Sequence, residues 1–174
     1  MTGAPDPAGF GPSARVGCVI ENTLPKVWDI FVPVYLPDLF PKAKGPIPPV
    51  VDVQDQTGRW DEVGQTRTVV LGDGNTAREE ITHSEPSGGQ AAEQLAEFAY
   101  TVSGFTGPFS WLVKSAHGRW IFTAQSGETQ VVWTYGFRST NILTRPLVAL
   151  LAATFWRAYM RDGLAHFKTL AECG

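Results

Sequence analysis

The 174-residue chain is 43% apolar and only 18% charged, with a net charge of −3, against a typical charged share of roughly 25%. Its 18 Gly and 13 Pro exceed the usual ~12% by too little for a disordered or fibrous chain, and this length buries a sizeable core as one domain. The acidic balance excludes the basic footprint of nucleic-acid binding, and the longest apolar run, Pro146 to Trp156, has about 11 residues where a membrane span needs about 20.

Met1 to Ala14 lacks the basic and apolar regions of a secretory signal. Its Gly and Pro predict a disordered arm over residues 1–13, followed by a single domain over 14–174 in the cytoplasm. The two cysteines, Cys18 and Cys173, have no disulfide-framework or metal spacing and read as reduced thiols.

Ala14 to Glu21 is short and β-branched, a first strand. Thr23 as N-cap and Pro25 in the first turn open a short helix that Pro33 stops near Val32. Pro33 to Pro49 holds six prolines among apolar residues. It excludes a regular helix beyond a turn at Leu36 to Phe40, and it reads as a rim or lid over a cavity or as a cover for one end of the core. From Val50 to Ser139 the pattern is β. Strands are expected at Val50–Gln54, Thr66–Leu71, Thr76–His83, Ala96–Val102, Arg119–Ala124 and Gln130–Arg138. The turns fall at Thr57-Gly58, Gly72-Asp73-Gly74-Asn75, Pro86-Ser87-Gly88-Gly89, Gly104 to Pro108 and Ser126-Gly127-Glu128. Short turns between successive strands make an antiparallel meander.

Asn141 then caps roughly 30 residues without a breaker after Pro146. Val148, Ala152, Trp156, Met160 and Leu164 share one helical stripe. The first half is apolar nearly all round, so it is expected to be buried on all sides by a sheet that wraps it. The fold class is therefore α+β: a curved antiparallel sheet of about seven strands around a long C-terminal helix.

This order resembles the START-like (Bet v 1-like, helix-grip, SRPBCC) superfamily, and more narrowly its bacterial polyketide cyclase/dehydrase-type members. The resemblance rests on Asn22-Thr23-Leu24-Pro25-Lys26-Val27-Trp28 at the first helix, Gly64 to Val69, Arg78 to Thr82, Phe98 to Val102, Val132 to Phe137, and the closing helix from Leu143 on. It spans Ala14 to Glu172. It implies a large apolar cavity between the concave face of the sheet and the long helix, and no shared catalytic motif. The superfamily includes lipid carriers, hormone receptors and aromatase/cyclases, so fold alone does not settle function.

Strand alternation assigns faces. Val131, Trp133, Tyr135 and Phe137 point inward, with Trp120, Phe122, Ala124, Phe98, Tyr100 and Val102, while Glu97 and Thr101 point out. In the Gly72 hairpin, inward Val69 and Leu71 carry Arg67 with them. On the partner strand, Ala77 and Ile81 carry Glu79 and His83. If Leu71 lies opposite Ala77, Val69 faces Glu79 and Arg67 sits one diagonal step away. Charges are rarely buried unpaired, so an Arg67–Glu79 pair is expected on the cavity wall. The opposite parity would turn Arg78 and Glu80 inward instead.

The expected cavity lining is Trp28, Phe31, Tyr35 and Phe40 from the first helix and the Pro-rich segment. The hairpin adds Arg67, Val69, Leu71, Glu79 and Ile81, and the later strands add Phe98, Tyr100, Trp120, Phe122, Trp133 and Tyr135. Val148, Ala152, Trp156 and Met160 come from the closing helix. Such a pocket fits a hydrophobic small molecule: a lipid, polyketide or aromatic metabolite. A cyclase or dehydratase acting in the same cavity is the alternative, with Glu79, Arg67 and Tyr100 as candidate catalytic residues; a protein-interaction module is a third reading. His83, His117 and His166 have no metal spacing, and the Gly72 turn precedes a strand rather than a helix, so neither metal nor cofactor is expected. Asp162 and His166 read as a surface pair, and Arg157 with Arg161 as a solvated face or a contact for an anionic partner. Monomer and homodimer both remain open.

Overall fold

Alternating strands bury one face, and seven of them here share the same concave face. The computed structural model describes residues 4–86 and 95–174. The turn expected from Pro86 to Gly89 lies, beyond Pro86, outside them. The strands are β1 (Ser13–Ile20), β2 (Val50–Gln54), β3 (Thr66–Leu71), β4 (Thr76–Glu85), β5 (Leu95–Ser103), β6 (Val113–Gln125) and β7 (Glu128–Ser139). They form one sheet in the order β1-β7-β6-β5-β4-β3-β2, antiparallel at every pairing. Helix α1 (Leu24–Phe31) and the single turn α2 (Leu36–Leu39) follow β1, and α3 (Phe109–Leu112) precedes β6. The chain closes on α4 (Arg145–Leu151), a π turn (Ala152–Trp156) and α5 (Arg157–Cys173). The architecture is the α+β helix-grip arrangement expected from the sequence.

The core lies between the sheet and α1 with α5. Phe31 is its hub, with ring centroids 4.9 Å from Trp120 and Phe122, 5.2 Å from Phe98 and 5.5 Å from Phe167. Several expected cavity residues belong instead to this solid part. Ile81, Phe122, Val148, Ala152 and Met160 are buried to 1% exposure or less, and Trp28 is buried too. Trp28 packs edge-on to Phe98 and Phe122. The inward face is longer than the cavity, and its closed end is filled by side chains. Tyr35 departs in the other direction: it is exposed, and its hydroxyl donates to Asp52 Oδ1 at 3.1 Å.

The Pro-rich segment is pinned to α5. His166 Nδ1 lies 2.8 Å from the Leu39 carbonyl, and Lys44 pairs with Asp162 at 2.5 Å. Asp162 and His166 therefore serve this docking and not each other. Gly163 leaves room for Phe40, whose ring a Cβ there would meet at 2.3 Å.

The arm expected to be disordered is ordered from Ala4. Asp6 caps a 3-10 turn, Pro7–Phe10, and the arm covers the outer face of the sheet. Phe10 stacks on His117 at 3.8 Å, and the Ala4 N–H donates to Glu97 Oε1 at 2.7 Å. Glu97, outward as expected, is thereby buried, and Arg119 Nε and Nη2 donate to its two oxygens at 2.8 and 3.1 Å. Burial opposes the charged form of Glu97. The Arg119 hydrogen bonds, the Ala4 N–H and the Arg119 charge outweigh it and hold the carboxyl below its ordinary 4.5. A lowered folded-state pKa contributes stability above the unfolded value and loses it as pH falls through the folded one. Stability is therefore expected to drop with acidification below pH 4.5, and Glu97→Gln to flatten that part of the profile. Urea midpoints measured from pH 6 down to 3 (about three units, ample for one carboxylate) check this; parallel profiles for the two proteins would sink it.

Two local irregularities correct the face assignments. The β4–β5 register shifts between Ile81 and His83, a bulge that turns His83 away from the inward face to lie opposite Ala99. The closing helix is not uniform either. Its wide π turn interrupts the stripe, with Thr154 Oγ1 donating to the Leu150 carbonyl at 2.6 Å. Asn141 caps the turn before α4, accepting from the Leu143 and Thr144 N–H groups. The first half of the helix is also not buried all round: Leu147, Leu150 and Phe155 are exposed.

Candidate functional site

Beyond the packed end, the sheet and the C-terminal helix diverge around a cavity of about 460 Å³, within the range of small-molecule sites. Of the residues expected to line it, Phe31, Phe40, Arg67, Val69, Leu71, Glu79, Phe98, Tyr100, Trp120, Trp133, Tyr135 and Trp156 do so. Trp28, Tyr35, Ile81, Phe122, Val148, Ala152 and Met160 do not. From the helix, the lining comes from Leu147, Leu150, Leu151, Phe155, Trp156 and Tyr159, the face beside the buried Val148, Ala152 and Met160. Leu36, Leu39, Pro46, Ile47 and Pro48 line it from the Pro-rich segment, and Phe105, Phe109 and Leu112 from the loop and turn before β6. The apolar, Pro-stiffened character of Pro33 to Pro49 was the signal for the former. The latter had none, since Val113 to Gly118 reads too polar and small to reveal that β6 starts at Val113.

One polar feature dominates the wall. Arg67 and Glu79 lie directly opposite each other on β3 and β4, and Arg67 Nε donates to Glu79 Oε2 at 2.7 Å. Both residues are buried, while Arg78 and Glu80 are exposed. The diagonal placement expected from sequence is corrected to a direct one. The five-residue turn runs from Leu71 to Asn75, closed by Leu71 N–H to the Asn75 carbonyl, so that Val69 faces Ala77. Gly74, at φ +83°, supplies the left-handed residue this turn needs.

The guanidinium is also stacked on Trp60, 3.9 Å from the ring centroid, a cation–π contact that strengthens when desolvated. Trp60 is buried and holds φ +66°, an uncommon conformation for a bulky side chain, which costs roughly 1–2 kcal/mol. Sequence alternation cannot find Trp60, because it stands in a loop.

Around this pair the cavity carries donors. Tyr100 and Tyr135 sit with ring centroids 6.3 Å apart, and Tyr135 lies 4.8 Å from Trp156. Enclosure, then the Glu79 charge, raises the Tyr100 and Tyr159 phenol pKa values; enclosure, then the Tyr100 and Glu79 charges, raises that of Tyr135. All three stay protonated at neutral pH. Among the described residues, the buried Trp133 and Trp156 indole N–H groups have no hydrogen-bond partner in good alignment, the Trp133 indole standing only near the Tyr100 hydroxyl, although buried donors are normally satisfied. Tyr100 has its place because Gly118 faces it; a Cβ there would meet the ring at 2.2 Å. The site thus offers one buried carboxylate, one guanidinium, phenols and two indole donors in a mainly aromatic and aliphatic enclosure, with Asp73, Asn75, Thr76 and Thr106 adding further polar groups to the lining. Among the described residues no three His, Cys, Asp or Glu side chains gather as a metal site, and no helix is long and apolar enough to cross a membrane.

The family described as "Polyketide cyclase / dehydrase and lipid transport" matches residues 48–172, which hold most of the lining apart from Phe31 and the Pro-rich segment. No curated protein matches the sequence. Solved structures with the same fold include Ara h 8.0201, with TM-score 0.65 and 14% identity over 93% of this chain and 98% of that one. The Zhui aromatase/cyclase from a Streptomyces species superposes with TM-score 0.62 and 17% identity, covering 92% of this chain and 93% of that one. Truncated norcoclaurine synthase from Thalictrum flavum gives 0.61 and 11%, with 91% of each chain covered.

Proposed function

The chain belongs to the polyketide cyclase/dehydrase and lipid transport family, and from that premise we propose that it holds a hydrophobic small molecule, an aromatic or polyketide-like compound, in the cavity between sheet and C-terminal helix. The observation that carries this reading is the pair of unpartnered indole donors, Trp133 and Trp156, inside an apolar enclosure. A donor buried without a partner costs about 1–3 kcal/mol. A ligand carbonyl or phenol placed between them would recover it. Flat aromatic walls such as the stacked Trp120–Trp133 pair, 4.4 Å apart, suit a planar guest.

Catalysis is the second reading, favoured by the single-point contact between Arg67 and Glu79. Among the described residues only Oε2 is engaged in a hydrogen bond, which leaves Oε1 for a substrate. There the carboxylate would take a proton from a carbon next to a carbonyl, the Tyr100 phenol would hydrogen-bond the resulting enolate oxygen, and the cavity would exclude water while the chain closes on itself.

Titration with the neutral fluorophore N-phenyl-1-naphthylamine tests the first reading. Saturable one-site binding in the micromolar range, near −8 kcal/mol, is expected, together with a co-purifying apolar compound in native mass spectra of protein taken from its host. A protein that carries nothing and binds no apolar probe would overturn it. Glu79→Gln and Tyr100→Phe separate the two readings: turnover lost with probe binding retained supports catalysis.

A further inference from the structure

The three most exposed large apolar side chains of the described residues sit together beside the cavity mouth. Trp111 is 76% exposed, Ile142 80% and Leu143 87%. They stand on two adjoining turns, joined where Thr140 Oγ1 donates to the Trp111 carbonyl and the Thr140 N–H to that of Leu112. Leu147 and Leu150, also exposed, continue the patch onto α4 and into the cavity lining.

Charge is distributed unevenly around it. Of the six Lys and Arg between Phe98 and Arg161, Arg119 is paired with Glu97, and Arg157 and Arg161 lie against β1; the other three stand beside the patch. Lys114, Arg138 and Arg145 flank the patch within three residues of Trp111, Thr140 or Ile142, and all three are exposed. The acidic group of the rim, Asp73, stands on the β3–β4 turn, hydrogen-bonded to Asn75, which meets Thr106 in the loop before α3. Apolar side chains projecting between cations complement a surface that is anionic outside and apolar a few ångströms down. Trp at such a boundary and Lys or Arg beside it are the usual anchors of an interfacial contact. A protein partner would need pockets shaped for three side chains on two separate turns, whereas a bilayer surface yields to any arrangement.

We propose that the Trp111–Leu143 rim docks reversibly on an anionic bilayer surface, with the cavity mouth turned toward the lipid. The inference builds on the cavity reading only in its purpose, the transfer of an apolar ligand without passage through water. Its test is separate. Flotation with vesicles of phosphatidylcholine plus phosphatidylglycerol is expected to carry the wild-type protein upward. Neutral phosphatidylcholine vesicles should carry it much less, and added salt should weaken the anionic case. The Ile142→Asp/Leu143→Asp variant should lose at least tenfold in vesicle affinity, and Lys114→Glu about fivefold or more. None of these three residues lines the cavity, so naphthylamine binding should stay within about twofold in both variants. A wild-type protein that stays with the aqueous fraction at low salt overturns the proposal, as does a double variant that floats equally well. Capture of an acidic protein without vesicle binding would assign the rim to that partner instead. Failure of naphthylamine binding with flotation intact would count against the cavity reading alone.

Discussion

Arg67→Met is expected to destabilise the protein by about 3–5 kcal/mol, because it leaves the Glu79 carboxylate buried without its cation. The pair is 7% and 10% exposed at the side chains, so solvent cannot take over the role of the guanidinium. The stacking on Trp60 is lost too. The accompanying double variant Arg67→Met/Glu79→Leu should recover most of the loss, since an apolar pair of similar volume is often as stable as a buried ion pair. Urea unfolding of the wild type, both single variants and the double variant measures this as a cycle. A single variant within 1 kcal/mol (about a fivefold change in the folded ratio) of the wild type would show the carboxylate to be solvated or protonated, and the wall to be less dry than its geometry. The cycle also bears on function: a double variant that is stable and still binds the naphthylamine probe would make the ion pair an orienting device, while the aromatic walls hold the guest.

Phe31→Ala is expected to cost about 3–5 kcal/mol as well, by a different route. The ring touches five aromatic neighbours, Trp28, Phe98, Trp120, Phe122 and Phe167, and those rings are too interlocked to collapse into the space it leaves. Phe31 also borders the cavity. Its removal therefore joins new void to existing void, and larger apolar probes should gain affinity relative to small ones as stability falls. Thermal unfolding with and without a size series of aromatic probes checks both effects. An unchanged size preference would place Phe31 wholly within the packed end.

The sequence exposed most of this arrangement, and the reasons differ by element. β7 alternates without a break from Val131 to Phe137, so parity alone put four side chains on the correct face. The same rule carried Arg67 and Glu79 inward with Val69 and Ala77, over the opposite parity that would have turned Arg78 and Glu80 inward. It failed at His83, where a bulge inserts an extra residue that alternation cannot register, and at the hairpin, where a one-residue displacement of the turn changes which residues meet. The helix stripe failed for a different reason. Val148, Ala152 and Met160 have the right period but face the packed core, and the adjoining face, Leu147, Leu151, Phe155 and Tyr159, has the same period and meets the cavity. Trp60, Phe105 and Phe109 escaped because loops carry no period. The arm before Ser13 was misread because its composition is that of a flexible segment. Its order depends on distant partners, Glu97 and His117, that no local pattern announces.

The pairing of β1 with β7 has a consequence for how the molecule assembles. Ser13 meets Gly136 and Ile20 meets Thr129, so a strand made early waits for one made late, while from β2 to β7 each strand pairs with the next in sequence. Closing so long a loop is entropically slow, and contacts of this separation form late. The meander can condense on its own short-range pairings, leaving one flank of β7 open until β1 arrives. During that interval β7 is a temporary sheet edge, rich in aromatic residues and ready to pair with another chain. Once seated, β1 covers it, and α5 packs against β1 from behind. The strand that contributes least to the cavity is therefore the one that ends the period in which the newly made chain is most open to aggregation.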